Sequence, residues 1–550
     1  MKFLPQWTRR VAMDGSGRDP LGLSRVSDAL TGHLLPDIIT TTDRARYYSF
    51  YTWAVSDIQA LRQANGVKVP FLEEFQRREA AFALASSLGQ KQKLPIVGIV
   101  RVEEILAAAG SSSAVETDFQ VLPSNRLGGY GQYYAGCIYS LGLVKTDESG
   151  EDVVSSDLGR KLADAFAAAT ASAPYLTGNW RTKPRVPKPV LQDSAELYSL
   201  DAIASRTANA ERELLIRMFF QLDEKPSAAR PLNRQATLGL LLHVLRACET
   251  AGIVVNRRDV DGGAIFWPHY YGGLADEDHD LIPYLVPPVF ATAHAFWRQF
   301  SAHQFLAFAL EEFLAAILDA LTAYPEGLTE AGLLDVMVDQ RFLQDLKKTF
   351  KADCSTPAKL LRAIGVTAIP DAAISRAVSE KFHGESKINE WSTCWDREVS
   401  PATRLGRSLV LMALLYGKWR GREDDPVLPL VADQAKSKAW LGTTFPWLDD
   451  WLVSCLDWRA AVARILEWTT LRHDVIKFQK RKLDASWFEL ANGRYVKQQD
   501  LFPHFRASRH GNAATVLMDL GLIKYGGLDD PLKLTPRGRQ VLDEVIHLRS

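Results

Sequence analysis

The residues with the densest chemistry in this chain are cationic. Lys477, Lys480, Arg481 and Lys482 fall within "KFQKRK", and Arg506, Arg509 and His510 follow in "HFRASRH". Between residues 471 and 510, nine Lys and Arg stand against four Asp and Glu. Such a local excess can neutralise phosphates, and double-stranded DNA is the ligand with that charge density. A second basic run, with Arg181, Lys183, Arg185 and Lys188, holds no acidic residue between Gly178 and Lys188. A third group mixes arginine with rings. "TTDRARYYSFYTWA" sets Arg44 and Arg46 beside Tyr47, Tyr48, Phe50 and Trp53. Arginine with aromatic rings can hold a phosphate or a base. The same residues can form an aromatic helix whose arginines pair with carboxylates inside the protein, and that is the reading we favour.

Other constellations supply no catalytic chemistry. "HYYGGLADEDHDL" gathers His269, Asp276, Glu277, Asp278, His279 and Asp280 without the spacing of an H-E-x-x-H helix or an EF-hand loop. It reads as an exposed acidic loop. "RLGGYGQ" lacks the Lys-Ser/Thr of a phosphate-binding loop, so Gly128, Gly129 and Gly131 read as a tight loop feeding a helix. Glu489 and Lys497 share a hairpin, but the upstream Asp of a restriction-type nuclease is missing. Five scattered cysteines without a C-x-x-C pair give neither zinc site nor disulfide framework, and fit a reducing cytoplasm. No catalytic, cofactor or metal residue is assigned.

The elements that position these residues come from punctuation. "LGLIKYGGLDDPLKLTPRGRQVLDE", Leu520 to Glu544, reads as helix end, hairpin, new helix. Moved back by a constant 379 residues it falls on Leu141 to Asp164 with seven identities: Leu141, Gly142, Leu143, Lys145, Gly159, Arg160 and Asp164. In each copy a Gly suits a helix C-cap, a polar turn reverses the chain, and Ser156 or Thr535 precedes a new helix as N-cap. This pattern resembles bacterial winged helix-turn-helix domains with a Leu-Gly-Leu helix end and an L-T-x-x-G wing exit. In that fold the helix before the Leu-Gly-Leu stop enters the major groove. The C-terminal copy carries the basic residues and is expected to contact DNA. The N-terminal copy has only Arg126 before its helix, with several aromatics, and is expected to contact protein.

Composition bounds the rest. A chain of 550 residues with 47% hydrophobic residues folds as several domains. Lys plus Arg equals Asp plus Glu at 65 each, which excludes a whole-protein polycation. Apolar runs at Phe313 and Leu409 are too short to cross a bilayer. The reading is mainly α, with helical segments 1–92, 194–325 and 326–470, winged-helix units 93–172 and 471–550, and a basic Pro-rich linker 173–193.

The run "DPLGLSRVSDALTGHLLPDIITTTDRARYYSFYTWA" resembles the N-terminal signature of large bacterial proteins encoded in anti-phage defence islands. Asp37 stands where those proteins more often have Gly, and Thr52 where they more often have Pro. The resemblance implies a defence context and transfers no enzymatic motif. The expectation is a cytoplasmic, non-catalytic scaffold or DNA-binding subunit of an antiviral defence complex, with an ATPase, helicase or nuclease as partner. Arg44, Arg46, Tyr47, Trp53 and Arg126 are its candidate partner or phosphate contacts. A dispersed nuclease site and a winged-helix transcriptional regulator are the alternatives.

Overall fold

The computed structural model describes residues 19–65, 69–90, 95–110, 113–148, 150–257, 260–276, 281–350, 352–363, 400–419, 425–435, 440–480, 486–524, 527 and 529–550. Arg481, Lys482, the Lys480 side chain and Glu277, Asp278, His279 and Asp280 lie outside the described set.

The protein is mainly α, with small antiparallel hairpins, and it gathers into two compact units. One unit comprises Thr31–Ala264, Leu285–His294 and Ala507–Ser550. The other comprises Ile265–Tyr284 and Ala295–Arg506 with the described residues up to Leu30. Each unit is thus assembled from separated stretches, whereas the sequence suggested six segments in succession. The stretch 471–550, expected as one domain, divides between Arg506 and Ala507.

After α1 (Ser24–Leu34), the first unit holds α2 (Arg46–Asn65), α3 (Phe71–Gly89), α4 (Ile99–Ala109) and β1 (Ala114–Glu116). A π-helical turn at Tyr130–Tyr134 then runs into α5 (Ala135–Ser140). Next come β2 (Val144–Thr146), β3 (Asp152–Val154), α6 (Asp157–Thr170), α7 (Pro174–Thr177), β4 (Arg185–Pro187), α8 (Lys188–Ser194), α9 (Asn209–Phe220) and α10 (Asn233–Ala251). The aromatic spacing of 41–65 predicted one buried face on Tyr47, Phe50, Tyr51, Ala54 and Ile58. α2 buries these and also Tyr48, Trp53 and Val55, because α2 is enclosed on most sides. Phe50 stacks on Phe82 with ring centroids 4.0 Å apart, and Trp53 and Phe82 both pack near Phe166. Ring pairs of this kind each add about 0.5–1.5 kcal/mol beyond area burial. α10 stops at Gly252 with φ 74, as its Gly predicted.

The segment 173–193 is not an extended linker. It carries α7, β4 and most of α8, and it buries Tyr175, Val186 and Leu191. β4 pairs antiparallel with β1, Val186 opposite Val115. Pro174 and Pro189 sit in the first turns of α7 and α8, where the missing N–H is not needed, and Pro187 ends β4.

The second unit contains β5 (Gly273–Ala275), β6 (Leu281–Pro283), most of α11 (Ala291–Leu321), β7 (Leu328–Thr329), α12 (Glu330–Met337) and further helices. The long Trp458–Lys480 helix leads to β8 (Phe488–Ala491) and β9 (Arg494–Lys497). Asn492 and Gly493 turn this hairpin with φ 53 and 72, the type I′ pair expected from the Asn-Gly dipeptide. The sheet order is β7-β9-β8. Thr329 caps α12 by accepting from Gly332 N–H at 3.3 Å. "LTEAG" at 328–332 thereby repeats the capping geometry of "LTPRG" at 534–538, a third occurrence that the sequence reading missed.

The His510–Asp519 helix, β10 (Ile523–Lys524), β11 (Lys533–Leu534) and the Pro536–Arg549 helix complete the first unit.

Candidate functional site: a duplicated helix, hairpin and helix

The duplicated segments share their hydrogen bonds as well as their sequence. Each first helix ends in a Schellman motif, which satisfies carbonyls the helix leaves open. Leu143 N–H donates to Ile138 C=O at 3.1 Å and Gly142 N–H to Tyr139 C=O at 2.9 Å. Leu522 N–H donates to Leu517 C=O at 2.9 Å and Gly521 N–H to Met518 C=O at 2.8 Å. Gly142 and Gly521 have φ 67 and 70. The next helix is capped by Ser156 Oγ accepting from Gly159 N–H, and by Thr535 Oγ1 accepting from Gly538 N–H. A Cβ on Gly159 would sit 2.4 Å from Leu143 O, and one on Gly538 would sit 2.1 Å from Leu522 O. Both glycines therefore allow the second helix to touch the hairpin backbone.

The hairpins differ by one residue. Val144 faces Val154, but Ile523 faces Leu534. Consequently two serines share the work of one threonine: Ser155 Oγ donates to Gly142 C=O while Ser156 caps, and Thr535 Oγ1 does both, donating to Gly521 C=O at 2.7 Å.

Each copy also carries its own long helix. α2 packs on β3 and α6; α10 packs on β11 and the Pro536–Arg549 helix. Val154 N–H donates to Gln59 Oε1, and Leu534 N–H donates to Glu249 Oε1. Counting back 15 residues from Gln59 and from Glu249 reaches Arg44 and Arg234, both buried. The repeat thus extends to elements whose sequences share little.

The copies differ in what covers them. In the C-terminal copy the His510–Asp519 helix buries His510, Ala513, Ala514, Thr515, Val516, Leu517 and Asp519. The segment before α2 lies on it: Asn512 Nδ2 donates to Thr40 C=O, Arg509 donates to Ile38 C=O, and Asp519 accepts from Ala45 N–H. Among the described residues of this helix none is exposed and Gly511, Asn512 and Met518 are half-buried, so little of it is open to a DNA groove. In the N-terminal copy the matching helix exposes Gly131, Gln132, Gly136, Tyr139 and Ser140. Tyr139 and Tyr130 hydroxyls donate to Asp152 at 2.6 and 2.8 Å, tying that helix to its hairpin.

Among the described residues, most of the basic candidates are engaged within the protein. Arg506 pairs with Glu311 at 2.9 Å, and Lys477 with Glu489 at 3.4 Å. His510 is buried, and burial lowers its pKa to about 3, which leaves it neutral. Arg509 sits at φ 68 beside the 38–40 backbone. Arg181 pairs with Asp57. Lys183, Arg185 and Arg126 are exposed.

The arginine and aromatic run is internal. Arg44 and Arg46 are 0% exposed, Tyr47 1% and Trp53 4%. Arg44 pairs with Asp519 and Asp201, and Arg46 with Glu211 at 3.0 Å. Burial works against the charge of Arg44, but the Asp519 and Asp201 carboxylates more than offset it and raise its pKa. Asp37, the departure from the resembling signature, has φ 65 and pairs with Arg234. A backbone in that region explains why glycine suits the position.

The glycine loop is organised by a buried acid. Glu79 Oε1 accepts from Tyr51 Oη at 2.7 Å, from Gly129 N–H at 2.9 Å and from Tyr130 N–H at 3.3 Å. A Cβ on Gly128 would lie 1.7 Å from Glu79 Oε2. Burial raises the Glu79 pKa to about 7, against the pull of those donors. Sequence reasoning missed Glu79, which sits inside an ordinary amphipathic stretch.

Among the described residues no group of His, Cys, Asp and Glu could hold a metal ion, and no helix is long and apolar enough to cross a membrane. Comparison with protein families, curated proteins and solved structures finds no match to the chain.

Proposed function

We propose that this protein is a non-catalytic scaffold subunit of a multi-protein bacterial defence assembly, built on winged-helix-like units, and that it docks a partner protein on the open helix of its N-terminal copy. One observation carries the reading. The same helix occurs twice, and in the C-terminal copy its face packs against the chain's own 38–45 segment, which supports polypeptide as the occupant of the open copy. The uncovered copy offers Gln132, Gly136, Tyr139 and Ser140. Its hairpin holds Asp147, Glu148 and Glu151 against Lys145, a charge balance that repels phosphate. The defence context rests on the resemblance of the N-terminal signature.

The test is co-expression with the products of neighbouring genes, followed by size-exclusion chromatography. The expected result is a stable complex with an ATPase, helicase or nuclease that Gly136→Arg disrupts. Gly136 is exposed and a Cβ there meets nothing within 4 Å, so the variant keeps its fold. A complex unaffected by Gly136→Arg sinks the docking face. A duplex-DNA mobility shift with steep salt dependence, reduced by Lys183→Ala with Arg185→Ala, would add backbone contact. Metal-dependent nicking by the protein alone would replace the scaffold reading with a nuclease.

A further inference from the structure

A cavity of about 730 Å³ opens in the unit that contains both copies. Among its lining residues are Ser140 at the end of α5, Lys161 on α6, Arg217 on α9, and Arg230, Asn233 and Arg234 around the start of α10. Its volume is ordinary for a small-molecule site.

The start of α10 is unusual. Leu232 precedes it at φ 49 and supplies no capping side chain. The backbone N–H groups of Asn233, Arg234 and Gln235 meet no acceptor among the described residues. Arg234 and Gln235 are 3% and 0% exposed. The first amides of a helix have no intrahelical acceptor, and a capping side chain, water or a ligand meets them.

The other copy shows which kind. Ala45 and Arg44 precede α2 at the positions that Gln235 and Arg234 take in α10. There the Asp519 carboxylate accepts from Ala45 N–H at 2.9 Å and from Arg44 Nε at 3.0 Å. By the constant offset of the repeat, Asp519 corresponds to Ser140. The C-terminal copy's Asp519 seats a carboxylate at the start of α2; the N-terminal copy's Ser140 lines an open cavity at the start of α10.

We propose that this cavity binds a small molecule through an oxyanion, carboxylate or phosphate, seated against the first amides of α10. Arg234 does not receive it directly. Its Nε donates to Phe219 C=O, Nη2 to Met218 C=O, and Nη1 to Asp37. The receiving cations are Arg217 and Arg230, 44% and 66% exposed, now paired with Asp223 and Glu224. Lys161 pairs with Asp157 on the cavity rim. Solvent-exposed pairs of this kind exchange partners at little cost.

The experiment uses the full chain and three probes at matched ionic strength: inorganic phosphate, adenosine monophosphate and succinate. Calorimetry and thermal unfolding read binding, and the probes separate phosphate from carboxylate. Saturable binding of at least one probe is expected, weakened at least tenfold in Arg217→Ala with Arg230→Ala. Ser140→Asp places on α5 the carboxylate that the other copy uses. It should abolish probe binding without lowering the unfolding temperature. Ser140 is exposed, so the variant folds. No saturable binding by any probe, or binding unchanged by Ser140→Asp, overturns the proposal.

Discussion

Arg44 donates its Nε–H to both carboxylate oxygens of Asp519, at 3.2 and 3.0 Å, across 475 residues of chain. Nη2 of the same guanidinium donates to Asp201 at 2.9 Å. The pair joins the start of α2 to the end of the C-terminal copy's first helix. The signature arginines are therefore part of the protein interior, and the helix expected to read DNA is the one they hold.

Removing one partner should expose the strength of that arrangement. Asp519→Ala leaves Arg44 buried without its main counter-charge, and a loss of about 3–5 kcal/mol is expected. Arg44→Met combined with Asp519→Leu should recover part of it, because both desolvation costs vanish together while Asp201 and the Ala45 N–H lose their partners. Urea unfolding of the single and double variants measures the coupling. Additive losses would show that the two residues do not act as a pair.

Glu79 makes stability depend on pH in a definite direction. Its pKa is raised by burial to about 7 from an ordinary 4.5. The folded state then holds the proton more tightly than the unfolded state. Stability contributed by the neutral form is complete below pH 4.5 and falls as pH rises through about 7. Glu79→Gln should remove this dependence, gaining on the wild type by up to about 3 kcal/mol between those pH values. Glu311, also raised to about 7 by burial, keeps its own dependence in both proteins, so the difference reports Glu79. A wild-type minus variant difference that is flat with pH would contradict the assignment.

Gly159 and Gly538 should invert the usual helix rule. Glycine to alanine in a helix normally stabilises by about 1 kcal/mol. Here the added Cβ meets a backbone carbonyl, Leu143 O or Leu522 O, and backbone yields little. Each substitution should destabilise by about 1–3 kcal/mol. Gly136→Ala, where a Cβ meets nothing within 4 Å, is the control and should stabilise. Thermal unfolding of the three variants decides it.

The basic residues should separate into two classes. Arg506→Ala strands Glu311, whose side chain is 2% exposed, and should cost about 3 kcal/mol or more. Lys183→Ala and Arg185→Ala lie on the surface and should stay within about 0.5 kcal/mol. Chemical unfolding measures all three. A loss of DNA binding in Arg506→Ala accordingly has to be read against its unfolding.

Short-range features were legible in the chain. Gly142, Gly521 and Gly252 stop helices, Asn492-Gly493 turns a hairpin, and Ser156 and Thr535 cap helices. The repeat was legible for the same reason: its identities mark backbone positions where only certain residues fit. The α2 and α10 halves of the repeat were not, since helix interiors tolerate many apolar sequences and only the matched bonds of Gln59 and Glu249 align them.

By itself, the sequence determined a mainly helical protein with a duplicated helix, hairpin and helix. Only the tertiary structure decided which copy is covered and which cations remain at the surface. Caps, turns and Schellman motifs depend on residues within a few positions of each other, so local sequence specifies them. The environment of Arg506 or Asp519 depends on Glu311 and Arg44, hundreds of residues away, and a count of charges in a window carries no information about where those partners fold.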